Sequence, residues 1–378
     1  MKGTQPQSLE ALFETIKNLS ESEQSVLTNK IMGMLSQTKE SHKRSFQEEL
    51  VGLGSEKPNC PHCGAKATMG WVVKNGFDKG SQRYLCKACG KKFFSTTGTA
   101  FARTRKDSNT WRKFIQLTIN GKSLKACCVE CKIAYQTAFT WRHKVLNAFV
   151  ANQDELVMGG TVEVDEMLIP ISYKGNHVKG GFSNRKRLPG VDNGLPRESY
   201  KRGTDNKSTS AKEKACVFCM VENGNKSYYA AVPGVGFMLK DMLNCTVGKH
   251  VDKRTALILA DNYKVSRKYF EDNGYNHVIL SSNTSDNPHD HKPEIKGELH
   301  MQHVNSMHRH LRRFLAGYCG VSSKYLENYV ALYVWLKSIE FSKRQKGAEQ
   351  ASVSRAAVPD CYITRKNIES RPAIPMCA

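Results

Sequence analysis

Two Cys-x-x-Cys pairs bound the fold of this chain more tightly than any other feature. Cys60-Pro61-His62-Cys63 and Cys86-Lys87-Ala88-Cys89 are separated by 22 residues, and that interval reads as a pair of strands, Met69 to Lys74 and Gln82 to Leu85. Four thiolates gathered in this way close a tetrahedral Zn²⁺ shell. No position is left open, so the metal is structural. A zinc ribbon is therefore expected over residues 58–98, with Cys60, Cys63, Cys86 and Cys89 as ligands. His62 lies inside the first knuckle, but four cysteines already fill the shell. The total of thirteen cysteines is odd, which favours metal ligation and free thiols over a disulfide framework. Cys127, Cys128 and Cys131 read as small hydrophobes of one helix. Cys216 and Cys219 fall on opposite faces of a strand, where they are poor joint ligands.

Charge then narrows the partners. The chain of 378 residues carries 57 Lys+Arg against 35 Asp+Glu, a formal +22. The first 57 residues hold seven Lys/Arg and eight Asp/Glu, so the surplus lies entirely in the remainder. Such a surplus predicts a polyanionic partner, because each neutralised phosphate releases condensed counterions. No apolar run approaches the about 18 residues that span a bilayer, and no basic amphipathic helix suggests a membrane surface. The start of the chain lacks a signal-peptide core, so a cytosolic protein is expected. Nucleic acid is the preferred partner and a membrane is not.

Residues 1–57 read as a helical leader. Ser8 to Ile16 and Ser20 to Leu35 show apolar residues at helical spacing, and Ser20-Glu21-Ser22-Glu23 fits a capping box. After the ribbon, whose Lys74, Lys79, Arg83, Lys87, Lys91 and Lys92 accompany Phe93 and Phe94, three short helices are expected over 108–150. The first runs from Thr110 to Asn120 behind Ser108 or Asn109, the second starts at Ser123, and the third runs from Tyr135 to Phe149. Three helices with tight links match a DNA-reading helix-turn-helix. Gln136, Thr137 and Thr140 would then enter the groove, with Arg142, His143 and Lys144 near the phosphates and Trp141, Val145 and Phe149 in the core.

The third part, residues 160–342, carries the chemistry. Val162-Glu163-Val164-Asp165-Glu166-Met167 is a β-rich stretch with acidic groups set into it, and a buried carboxylate needs a cation or hydrogen bonds to offset its desolvation. Alternation places Glu163, Asp165 and Met167 on one face, so pattern alone does not choose between Glu163 and Asp165. Thr255 to Asp261 reads as a buried strand ending in a carboxylate. Between the two, Ala215 to Val221 and Ser227 to Val232 flank a hairpin signal. In the helix from Val304 to Leu315, Asn305, His308 and Arg312 share the face beside the apolar stripe. Two aspartates ending strands, with a polar helix residue, suit Mg²⁺ or Mn²⁺ and two-metal phosphoryl transfer.

The order of these parts, together with Val162-Glu163-Val164-Asp165-Glu166, Ala260-Asp261-Asn262-Tyr263, His303-Val304-Asn305-Ser306-Met307-His308-Arg309-His310-Leu311 and Gly320-Val321-Ser322-Ser323-Lys324-Tyr325-Leu326-Glu327-Asn328-Tyr329, resembles bacterial insertion-sequence transposases of the ISXO-like type over roughly residues 58 to 340. The resemblance implies a multidomain α+β protein in which the leader, ribbon and helix-turn-helix precede an RNase H-like α/β catalytic domain. It implies Asp165 as first metal ligand, Asp261 as second and Asn305 as third, where Glu is the commoner occupant. It also puts Arg312 in the place of the usual Lys, with Arg313 adjacent on the DNA. The implied activity is transposition: metal-dependent cleavage at the ends of an insertion sequence, then strand transfer into target DNA by a homo-oligomer in a synaptic complex. The alternative is a non-enzymatic DNA-binding regulator with a decayed nuclease domain, which the Asn305 and Arg312 departures keep open.

Two segments remain. The loop from Ser172 to Lys214 holds 11 Lys/Arg against four Asp/Glu, which predicts a grip on DNA. Ser281 to Glu298, with Asp286, His289, Asp290 and His291, reads as a turn-rich insertion. Residues 343–378 show no period and are expected to be a tail or a clamp on a partner.

Overall fold

The computed structural model describes residues 20, 22–27, 29–30, 57–78, 81–172, 191–192, 195–196, 214–224, 227–280, 295, 297–339, 344–359 and 361–372. The first expected leader helix, most of the basic loop after Ser172 and the Asp286–His291 insertion lie outside them. The chain divides into two compact units, Met1–Thr97 and Gly98–Ala378.

In the first unit, residues 22–27 are helical, and Glu23 Oε2 accepts the Ser20 backbone N–H at 3.0 Å, one half of the expected capping box. The ribbon is a three-stranded antiparallel sheet of β1 (Val72–Asp78), β2 (Ser81–Cys86) and β3 (Lys92–Phe94). The third strand was not anticipated. Its three residues are too few to show a period, but Phe93 stacks on Tyr84 and closes the small core of Cys60, Val72, Tyr84 and Cys86. Each knuckle ends in a glycine at positive φ, Gly64 at 72° and Gly90 at 70°. Their N–H groups turn back to the carbonyls of Cys60 and Cys86 at 3.0 and 2.9 Å. Neither site is crowded, so glycine is needed there for the left-handed backbone alone.

The second unit begins with α1 (Ser108–Ile119), α2 (Leu124–Cys131) and α3 (Tyr135–Asp154). Asp107 caps α1 through Thr110 N–H, a residue ahead of the expected caps, while Ser123 caps α2 as expected. Lys132 adopts φ 49° between α2 and α3 and makes their link tight. Trp111 and Trp141 stack at 3.6 Å in the centre of the three helices, with Phe101 and Phe114 edge-on to them.

A five-stranded mixed sheet follows. It is built from β4 (Met158–Pro170), β5 (Lys214–Glu222), β6 (Ser227–Val235), β7 (Val251–Asp261) and β8 (His277–Leu280). The spatial order is β8-β7-β4-β5-β6. The pairs β4–β5 and β5–β6 are antiparallel, as the hairpin signal at Glu222-Asn223-Gly224 requires, while β4–β7 and β7–β8 are parallel. Helices α4 (Lys240–Cys245), α5 (Val247–His250) and α6 (Lys264–Asn273) supply one layer. Helices α7 (Gln302–Ala316) and α8 (Leu326–Ser338) supply the other.

Strand alternation sorts the two cores. Val162, Val164, Phe218, Met220 and Ile258 face Tyr269 and Phe270 of α6. Met167, Val217, Cys219 and Leu259 face Val304, Met307 and Leu311 of α7 and Val330 of α8. Cys216 and Cys219 fall in different cores, as opposite faces demand.

Residues 344–369 depart from the expected periodless tail. They carry α9 (Arg344–Ala356) and α10 (Arg365–Glu369), and Ala356 O accepts Ala100 N–H while Ala148 O accepts Arg355 Nε. Phe149 of α3 stacks on Trp335 of α8 at 4.8 Å. The three-helix segment, the sheet and the C-terminal helices thus belong to one body. Among the described residues no helix is long and apolar enough to cross a membrane.

Candidate functional site

Strand β4 is the centre of the sheet, and α7 runs over the face to which its odd-numbered residues point. Glu163 and Asp165 both lie on that face, yet α7 meets them differently. Glu163 is fully buried. Its Oε2 accepts the N–H of Val304 at 2.9 Å, and its Oε1 lies 2.6 Å from His303 Nδ1 and accepts Asn223 Nδ2 at 3.0 Å. The α7 N-terminus has no capping side chain of its own. Glu163 fills that role from the neighbouring strand, placing a carboxylate on the positive end of the helix dipole.

Two residues further on, Asp165 reaches the mouth of the sheet. Its Oδ2 lies 3.6 Å from His308 Nδ1, one turn further along α7. Glu163 pairs with Leu259 across the parallel β4–β7 ladder, and extending that register by two residues sets Asp165 level with Asp261 at the end of β7. The electrostatics register the meeting. Burial, then the Asp261 carboxylate, then Glu166 push Asp165 up to about 8, against the pull of the Glu166 N–H. Burial and Asp261 raise Glu166 to about 7. Asp261 is itself raised by burial, with the Tyr263 N–H acting the other way. Among the described residues no Lys or Arg forms an ion pair with Asp165 or Asp261.

The two strand aspartates expected as ligands are therefore neighbours. Asn305 lies exposed on α7, one turn before His308. His308 is the helix side chain found against Asp165. It is only 9 % exposed, and its Nε2 has no hydrogen-bond partner. Burial, then the Arg312 charge, hold its imidazole down to about 4, so it is neutral at physiological pH. Arg312 and Arg313 are exposed one turn beyond. The apolar stripe of α7 was readable from its spacing. Which of two polar neighbours turns inward was not, because i and i+3 differ by only about 60° around the helix.

The expected DNA-reading residues divide as well. Gln136 is exposed, and Thr137 and Thr140 are half-buried near the start of α3. Arg142 and Lys144 do not lie on a surface. Arg142 is 1 % exposed and donates to Lys122 O at 2.7 Å and to Cys127 Sγ at 3.3 Å. Lys144 donates to Ala102 O at 3.0 Å, and burial first holds its amine down to about 8. His143 is buried against Phe139 and Tyr325. All three were expected at the phosphates. The covering chain segments are distant in sequence, so α3 alone gave no sign that its basic residues turn inward.

In the first unit, the sulfurs of Cys60, Cys63, Cys86 and Cys89 all lie within 4.8 Å of one another. Cys60–Cys89 is 3.7 Å and Cys63–Cys86 is 3.6 Å. A tetrahedron with Zn–S bonds of about 2.3 Å has edges of about 3.8 Å, so this group could bind zinc as it stands.

No family model matches the chain. It is 24% identical over 279 residues to "Uncharacterized protein in transposable element ISH50" of Halobacterium salinarum, a similarity covering 72% of this chain and 83% of that protein. The likeness is consistent with a transposable-element protein.

Proposed function

We propose that the protein is a DNA transposase whose catalytic site is built on Asp165 and Asp261. The observation that carries the reading is the convergence of these two carboxylates at the open end of adjacent parallel strands, with their charges uncompensated by any described Lys or Arg. Holding buried like charges together costs free energy, and a divalent cation between them removes that cost. A DNA-binding regulator has no need of such a pair. The five-stranded mixed sheet with helices on both faces supports the RNase H-like part of the proposal, and the likeness to a transposable-element protein supports the biological setting.

Asp165 and Asp261 would hold Mg²⁺ or Mn²⁺. Both are hard oxygen donors, His308 of α7 lies beside Asp165, and Asn305, one turn earlier on the same helix, would be the third ligand. When bound, a pair of such ions activates the attacking oxygen and stabilises the leaving one in phosphoryl transfer. The chain's own residues supply the rest. Glu163 anchors α7 to β4, which fixes His308 beside Asp165. Arg312 and Arg313, exposed on the same helix, meet the phosphates of the strand, where guanidinium forks suit paired oxygens. Gln136, Thr137 and Thr140 enter the groove at the end of the insertion sequence, and the basic loop after Ser172 grips the flanking DNA. Two ends must be handled together, which calls for a homo-oligomer.

Strand cleavage on the terminal repeats of the element, assayed with Mg²⁺, tests the proposal. Cleavage by the native chain and its loss in Asp261→Ala is the expected result. Equal cleavage by the two, or none by the native chain, would remove the enzyme and leave the regulator.

A further inference from the structure

Beside the carboxylate pair the structure exposes an aromatic surface that the chemistry above does not use. Strand β6 ends at Val235, and Gly236, at φ 81°, turns the chain so that Phe237 stands 45 % exposed. Leu239, two residues on, is 56 % exposed. The Phe237 ring faces Tyr263, with centroids 6.4 Å apart and planes inclined by 34°. Tyr263 lies two residues after Asp261 and its backbone N–H serves that carboxylate. Two packed aromatic rings, the outer one half exposed, therefore adjoin the end of β7 that carries Asp261.

We propose that Phe237 and Tyr263 form a stacking platform for an unpaired nucleobase of the strand whose phosphate lies at Asp165 and Asp261. The proposal rests on the transposase reading and names what the site holds next to the phosphate. A phosphodiester inside a duplex carries its bases in the stack, and drawing it toward largely buried carboxylates unstacks a neighbouring base. An aromatic face then replaces the lost stacking, without preference for sequence. An exposed aromatic ring packed on a second, half-buried one, in a chain of net charge +22, is matched by a ligand that is anionic along its backbone and flat and apolar at its bases. A peptide strand would match the rings but not the charge.

The test uses the full chain and a DNA duplex with a single unpaired fluorescent adenine analogue at one end, whose emission is quenched when it stacks. The native protein should quench the analogue on binding. Phe237→Ala should abolish the quenching and weaken binding of this end by roughly five- to 150-fold, the worth of one base–aromatic stack. Phe237→Trp should preserve both. With an abasic residue in place of the analogue, native and Phe237→Ala should bind alike. Unchanged quenching in Phe237→Ala, binding without quenching by the native chain, or no binding of the end would each overturn the platform. So would self-association that is lost in Phe237→Ala, which would make the patch an interface between copies. Quenching without any cleavage by the native chain would keep the platform and remove the transposase.

Discussion

Glu163 accepts the backbone N–H of Val304 at 2.9 Å, joining the central strand to the first turn of the helix that crosses it. The carboxylate is completely buried and also holds His303 and Asn223. Removing it leaves the buried Val304 N–H without an acceptor and takes the partner from His303 and Asn223. Glu163→Ala should therefore destabilise the fold by about 2–4 kcal/mol, measured by denaturant unfolding. Glu163→Gln keeps an acceptor oxygen for Val304 and should recover part of the loss. Equal stability of Glu163→Ala and the native protein would dismiss the cap.

The carboxylates of the site give a pH dependence with a definite sign. Asp165 is raised in the folded protein to about 8, well above the ordinary aspartate value of 3.8, so the folded state holds a proton that the unfolded chain has released. Stability without metal should fall as pH rises from about 4 and reach its full penalty above about 8. Asp165→Asn should raise the melting temperature of the metal-free protein at pH 8 and leave it nearly unchanged near pH 4. A variant less stable than the native chain at pH 8 would contradict the account.

Arg142 and Lys144 show what a sequence hides. Both sit on α3 in a chain rich in positive charge, and a local reading sends them to the phosphates. The structure spends them on internal carbonyls. Arg142→Ala should then cost about 1–3 kcal/mol of stability, while the slope of DNA affinity against salt stays the same. A slope reduced by about one would restore Arg142 as a phosphate contact. Gln136→Ala should do the reverse, lowering affinity for the terminal repeat with unchanged unfolding.

A zinc ion held by the four cysteines would tie the stability of the ribbon to the metal. Cys86→Ser should lose bound zinc and make residues 57–97 sensitive to protease, while the unit from Gly98 onward keeps its melting transition. Zinc retained at one ion per chain would contradict the ligand set.

The parts legible in advance share a physical cause. The cysteine knuckles, the caps at Ser20 and Ser123, the hairpin at Glu222-Asn223-Gly224 and the apolar stripe of α7 are set by residues close in sequence. What was hidden depended on distant chain. Glu163 and Asp165 have the same strand face and similar neighbours, and only the arrival of Val304 at one and His308 at the other tells them apart. The last helices were missed for the same reason, since α9 has a mostly polar sequence and is held through Arg355 to Ala148 and through Ser352 to Trp335.

Manganese binding, followed by electron paramagnetic resonance on the native protein and on Asp165→Asn and Asp261→Asn, tests the central claim most directly. If the two carboxylates form one cation site, the native protein binds Mn²⁺, Mg²⁺ competes for it, and either substitution weakens binding at least tenfold while zinc content is unchanged. Manganese binding that is the same in all three proteins, or absent from the native one, would contradict it.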